Sequence, residues 1–160
     1  MTSVIRRVRP GDEAEITAMI YELAEFERAA DQCTVTENDM CTALFGPQPT
    51  VHGHVAEVDG QIAASALWFP NFSTWEGSAG IYLEDLFVRP AFRRRGLARA
   101  LLRELACECV ATGYSRLTWA VLDWNVDAIG LYEAIGGKPL SEWTSYRVSG
   151  PALSALAESD

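Results

Sequence analysis

The chain of 160 residues carries thirteen basic and twenty-two acidic side chains, a formal net charge of −9. That length suits one compact domain spanning 1–160, and the composition, 49% hydrophobic and 22% charged, is that of a globular protein. The negative balance argues against a general nucleic-acid binder, and no apolar run is long enough for a membrane span. Met1 to Pro10 lacks the apolar region of a secretory signal, and Cys33, Cys41, Cys107 and Cys109 lack disulfide-framework or zinc spacing. A reduced, cytoplasmic protein is expected.

The elements follow in chain order. Val4 to Arg9 alternates as a first strand, ended by Pro10-Gly11. Asp12 and Glu15 have the spacing of a capping box, ahead of a helix with Ile16, Met19, Ile20, Leu23, Ala24 and Phe26 at helical spacing. Thr36 can cap a second helix to about Phe45, broken by Gly46-Pro47. Val51–Val58 and Gln61–Phe69 read as strands joined by an Asp59-Gly60 hairpin turn. Pro70 to Gly77 reads as a turn-rich loop. Gly80 to Arg89 is a long strand closed by Pro90, and Gly96 to Thr112 a helix ended by Gly113. Arg116–Val121 reads as a strand, Asn125 caps a helix to about Ile135, Trp143–Val148 reads as a last strand, and Pro151–Ala157 as a terminal helix. The order β-α-α-β-β-β-α-β-α-β predicts an α/β (α+β) domain: a mixed, mostly antiparallel sheet with helices on both faces.

Charge is unevenly placed. Arg89, Arg93, Arg94, Arg95, Arg99 and Arg103 fall in a window without acids, whereas nine acids lie between Asp12 and Asp39 against one base, Arg28. The arginines surround a strand–loop–helix junction at Gly96. Amides at a helix N-terminus can cradle phosphate oxygens; glycine lets the backbone approach closely, small Ala98 keeps the next turn open, and arginines neutralise the anion. Neither a Walker loop nor a GxGxxG fingerprint is present.

The run Arg93-x-x-Gly96-x-Ala98 after a strand resembles the acetyl-CoA pyrophosphate loop of GNAT acetyltransferases. Asn125, Tyr132 seven residues on and Gly136 resemble the second signature of that family. A narrower likeness, to the diamine branch that includes spermidine/spermine and thialysine acetyltransferases, rests on Glu22-Leu23-Ala24-Glu25-Phe26-Glu27, Ser73-Thr74-Trp75, Tyr82-Leu83-Glu84-Asp85 and Leu122-Asp123-Trp124-Asn125. Ala98 and Gly137 depart from the usual residues of the branch, and Pro139 to Trp143 is shorter than its counterpart.

The resemblance implies a GNAT fold and N-acetyl transfer from acetyl-CoA to a small cationic amine by direct attack. An alkylamine arrives protonated, with a pKa of about 10, and must lose a proton before it attacks a thioester. Glu84 is then the expected base and Tyr132 the proton donor to the departing thiolate. Cofactor contacts are expected from the backbone of Leu86, Phe87 and Val88 by strand addition, from Arg93, Arg94, Arg95, Gly96, Leu97, Ala98 and Arg99 of the loop and helix start, and from Asn125, Ala128 and Tyr132. The acceptor is expected to meet Phe26, Glu27, Trp75, Glu84, Asp85, Trp119 and Glu142, acids beside aromatics suiting an ammonium group. Strand alternation would turn Asp85 away from Glu84. Trp68, Trp75, Trp124 and Trp143 read first as packing. His52 and His54 share a strand face without a third ligand, so no metal is expected. The branch implies a homodimer. The alternatives are a GNAT enzyme for a protein N-terminus, another amino acid or an aminoglycoside, and a non-catalytic acyl-CoA-binding module.

Overall fold

The structure is a computed structural model in which residues 2–159 are described. It divides into two compact units, residues 1–124 and 125–160.

The first unit holds the sheet. Its strands are β1 (Ser3–Arg7), β2 (His52–Val58), β3 (Gln61–Ser73), β4 (Ser78–Val88) and β5 (Leu117–Trp119), in spatial order β1-β2-β3-β4-β5. All neighbours are antiparallel except β4 and β5, which run parallel. The unit also contains the helices α1 (Glu13–Phe26), α2 (Glu37–Phe45) and α3 (Leu97–Thr112). The expected mixed, mostly antiparallel α/β architecture is therefore present.

The pleat assigns the two faces. Val55 and Leu67 pack with Ile16 of α1 and with Met40 and Leu44 of α2. His54, opposite Ala66 across β2 and β3, lies on the other face, within the electrostatic reach of Glu104 and Glu108 of α3. Leu97, Leu101, Leu102, Leu105 and Cys109 form the buried stripe of α3.

Local chemistry explains most boundaries. Thr36 and Asp39 form a reciprocal capping box at the start of α2. Asp59 (φ 48°) and Gly60 (φ 81°) both take the left-handed conformation that a two-residue hairpin turn needs. Three expectations are corrected. Asp12 does not cap α1 with its side chain; its carboxylate accepts two bonds from the Arg6 guanidinium, at 2.8 and 3.0 Å, and one from the Arg9 amide at 2.8 Å. A bidentate charged pair is stronger than a neutral cap. Pro70 to Ser73 is strand rather than loop, because Pro70 pairs opposite Ile81 and the ladder continues to Ser73–Ser78, leaving only Thr74 to Gly77 as the turn. The strand after α3 shrinks to Leu117–Trp119, the stretch that finds partners on β4.

The second unit contains α4 (Val126–Ala134) and α5 (Pro151–Ala157). Asn125 caps α4, its side chain accepting from the Ala128 amide at 3.3 Å. Trp143–Val148, expected as a strand, has no strand partner among the described residues and forms none. A strand is made by pairing, and alternation alone does not supply the second chain segment. Among the described residues no helix is long and apolar enough to cross a membrane.

Candidate active site

The site is built around an irregularity in β4. Leu83 pairs with Trp68 and Asp85 with Leu67, so two residues of β3 face three of β4 and Glu84 is the extra one. Bulges recur beside active sites because they re-aim side chains. Here the bulge changes which residues share a face. Before it, Leu83 lies with Trp68 on the α3 face; after it, Asp85 and Phe87 lie with Leu67 and Ser65 on the face covered by α1. Glu84, alternating from Leu83, joins Asp85 there. Simple alternation had set the two acids on opposite faces, and the bulge brings them together.

A third acid completes the group. Glu27 follows the last residue of α1 and is half-buried, and burial raises its carboxyl above the usual range. Asp85 is pushed up to about 6, first by burial and then by the negative charges of Glu84 and Glu27. Like charges in a partly desolvated site resist joint ionisation, and a cation relieves that repulsion. Glu84 is exposed. The three carboxylates therefore suit an incoming ammonium group, with Glu84 the one open to solvent.

Aromatic side chains flank the acids. Phe26, 39% exposed, lies 5.7 Å from Trp124, 41% exposed. Arg28, held at φ 61°, places its guanidinium 4.5 Å from the Trp124 ring centre. The Arg93 guanidinium lies 5.0 Å from the Phe26 ring and 5.7 Å from Phe87. Its Nε donates to the Val88 carbonyl at 3.0 Å. Trp124, expected to pack, thus stands beside Phe26; its signal in the sequence is its place next to the Asn125 cap, in the segment that carries the branch resemblance.

Other expected acceptor residues fall elsewhere. Trp119 pairs with Leu83, so the pleat sets it on the face away from Glu84 and Asp85. Trp75 sits in the β3–β4 turn, 88% exposed. Glu84 lies six positions along β4 from Ser78, roughly 20 Å of strand, so one chain does not bring Trp75 to the acids. Glu142 is exposed in the second unit.

The segments expected to meet the cofactor lie along the end of β4 and the start of α3. β5 pairs with β4 only from Ile81 to Leu83, so among the described residues the β5-side edge of Glu84 to Val88 has no strand partner. Val88 is the exception at the atom level, its carbonyl being held by Arg93. After the 3-10 turn Pro90–Phe92, Arg94 (φ 60°) and Gly96 (φ 75°) take left-handed conformations. The first helical bond of α3 runs from the Ala100 amide to the Gly96 carbonyl at 2.9 Å, which leaves the amides of Leu97, Ala98 and Arg99 without intrahelical partners. No atom outside its chain neighbours lies within 4 Å of where a Cβ on Gly96 would stand, so the approach over it is open. These features fit a diphosphate. Arg94 and Arg99 are exposed, and the Arg95 guanidinium lies 5.4 Å from the Phe92 ring. Arg89, counted with the basic cluster, turns the other way and pairs with Glu15 and Glu22 of α1.

In the second unit Asn125 caps α4, and Ala128 and Tyr132 lie within it, both half-buried. His54 is buried, and its Nδ1 accepts from the Trp68 indole N–H at 3.1 Å, a packing role. The described residues contain no metal-binding cluster of histidine, cysteine and carboxylate groups.

Comparison with known proteins shows the family. The acetyltransferase (GNAT) family model matches residues 17–136. The chain is 36% identical to a thialysine N-epsilon-acetyltransferase of Bos taurus over 165 residues, covering 96% of each chain. It is 30% identical to an L-ornithine N5-acetyltransferase of Arabidopsis thaliana, covering 98% of this chain and 88% of that one. Among solved structures, an integron cassette protein from the mobile metagenome of V. cholerae superposes with a TM-score of 0.82 at 25% identity, covering 99% of both chains. The chain belongs to the GNAT acetyltransferases, in the branch of the thialysine N-epsilon-acetyltransferases, and is an acetyl-transfer enzyme.

Proposed function

We propose that the enzyme transfers the acetyl group of acetyl-CoA to a primary amine of a small cationic acceptor: a diamine or polyamine, thialysine or a lysine-like amino acid. The observation that carries this reading is the convergence of Glu27, Glu84 and Asp85 on one sheet face beside Phe26 and Trp124. Such a group fits a ligand with more than one positive charge, through charge and cation–π attraction.

Acetyl-CoA supplies an activated acetyl thioester. The amides of Leu97, Ala98 and Arg99, with Gly96 and the arginines around it, would hold its diphosphate. The free edge of Glu84 to Phe87 would pair with its amide-bearing arm, and a backbone N–H of that segment would polarise the acetyl carbonyl. Glu84 takes a proton from the ammonium group, directly or through water, and the freed nitrogen attacks the carbonyl carbon. As the carbon–sulfur bond breaks, the Tyr132 hydroxyl, assigned by the family resemblance, protonates the sulfur. The new amide nitrogen loses its second proton, which restores the phenol through solvent, so one proton is released overall. Both reactants held together would supply much of the acceleration.

The family resemblance also supports a homodimer. Trp75 reaches an acceptor pocket only if a second copy presents it, given its distance from Glu84 along β4. The free thiols of Cys33, Cys41, Cys107 and Cys109 support a reducing, cytoplasmic setting.

The test is free-thiol release from acetyl-CoA with thialysine, lysine, ornithine, spermidine, putrescine, an aminoglycoside and a basic peptide. Turnover of a small amine from the first five is expected. Activity confined to the peptide or the aminoglycoside would overturn the acceptor assignment, and coenzyme binding without any turnover would overturn the catalytic one.

A further inference from the structure

Arg89, in the basic cluster, has its guanidinium held by two carboxylates of another element, Glu15 and Glu22 of α1. Its Nη1 donates to Glu15 at 2.6 Å and to the Ile62 carbonyl at 3.1 Å, and its Nε donates to Glu22 at 3.1 Å. Its backbone N–H bonds the Ala63 carbonyl at 2.9 Å. The side chain is 23% exposed. Glu15 and Glu22 stand seven residues apart on α1, two turns and about 10.5 Å along its axis. One turn further lies Phe26, which Arg93 covers, and then Glu27. The segment that leaves β4 thus clasps α1 at three levels of one helix face, Glu15 and Glu22 by charge and Phe26 by its ring.

Charge bonds of this kind fix register in a way that apolar packing does not, since a shifted helix would leave the half-buried Arg89 guanidinium without its two carboxylates. α1 carries Glu27 at its end, and β4 carries Glu84 and Asp85. We propose that Arg89 is a positioning residue for acceptor length: it sets the register of α1 on β4, and so the span between Glu27, which holds the distal charge of the acceptor, and Glu84, which takes the proton from the reacting amine. This rests on the acceptor reading above. A fixed span selects among acceptors whose two nitrogens differ in separation by a methylene.

The experiment compares kcat/KM across a homologous series of α,ω-diamines and the pair ornithine and lysine, for the wild type and for Arg89→Met, Arg89→Lys and Glu15→Gln/Glu22→Gln. The wild type should show a clear length preference. Arg89→Met and the double glutamine variant should flatten it about tenfold, with the KM for acetyl-CoA unchanged, because a misplacement of an ångström is costly only where geometry is used. Arg89→Lys, with one point charge for two carboxylates, should be intermediate. A length profile kept by folded Arg89→Met or by the double variant, with only a uniform loss of rate or melting temperature, would overturn the proposal. Should Arg89→Met fail to fold, the double variant decides. A wild type that turns over no member of the series overturns the acceptor reading itself, and this proposal with it.

Discussion

Glu84, the proposed base, and Asp85, proposed to help hold the acceptor, are adjacent carboxylates, and single substitutions should separate the two roles. Glu84→Gln keeps the shape and removes the base. Its kcat should fall on the order of 10² to 10⁴-fold, with coenzyme affinity by calorimetry unchanged. A kcat within a few-fold of wild type would exclude Glu84 as the base. Asp85 has its carboxyl pushed up to about 6 by burial and by the charges of Glu84 and Glu27. A folded-state value above the unfolded 3.8 means that ionisation disfavours the fold. Asp85 contributes its full stability below about pH 4 and loses it as pH rises through 6. Asp85→Asn should therefore melt higher than wild type at pH 7.5, by about 1–2 kcal/mol after allowance for partial exposure, and the gain should vanish near pH 4. Acetyl transfer should weaken at the same time, since the acceptor loses a carboxylate. Equal melting temperatures at pH 7.5 would contradict the buried-acid account.

At the level of elements, the sheet surface opposite the acids offers a second titration. His54 of β2 is buried under Trp68, whose indole N–H donates to its Nδ1, and faces Arg7 of β1 and Glu104 and Glu108 of α3, with His52 beside it. Burial, then the Arg7 charge, lowers its pKa below 6.5. A base with a depressed folded value is favoured neutral, so its contribution is present above pH 6.5 and is lost as pH falls toward the folded value. His54→Gln keeps an acceptor for the indole and removes the titration. The wild type should lose stability relative to this variant on acidification below pH 6.5, by at most about 1.4 kcal/mol per pH unit. Parallel stability curves would refute the assignment. The same elements show what the sequence made legible. Caps, hairpin turns and the apolar stripe of α3 act over a few residues, and Thr36, Asp59-Gly60 and Gly96 revealed their elements directly. Pairing acts at long range. The bulge at Glu84 arises from the register of β4 against β3, and no pattern within β4 alone announces it. For that reason alternation misplaces Asp85; Trp119, which the resemblance alone sets against the acceptor, pairs with Leu83 and so lies on the face away from the acids. The Trp124 contact with Phe26 joins residues ninety-eight positions apart, and the branch motif gave only its location.

For the whole molecule, the question is what covers the last stretch of chain. Leu140, Trp143, Tyr146, Val148, Leu153 and Leu156 are exposed, Tyr146 at 94%. Single exposed apolar residues are ordinary, but six within seventeen positions on partly irregular backbone are a liability unless a partner covers them. A homodimer would do so, and Trp143–Val148, whose alternation reads as a strand, has the pattern of a segment that pairs outside its own chain. Chymotrypsin should then cut after Trp143 and Tyr146 in a concentration-dependent way. Cleavage should be fast at nanomolar protein, where monomers dominate, and at least ten-fold slower at tens of micromolar, in step with the dimer fraction from sedimentation; burial by a partner lowers the population of the cleavable state. Phe72 is also exposed but lies within the paired β3–β4 ladder, so it serves as an internal control whose slow cleavage does not depend on pairing of the tail. A cleavage rate at Trp143 that is independent of concentration, in a chain that sediments as a dimer, would place the interface elsewhere.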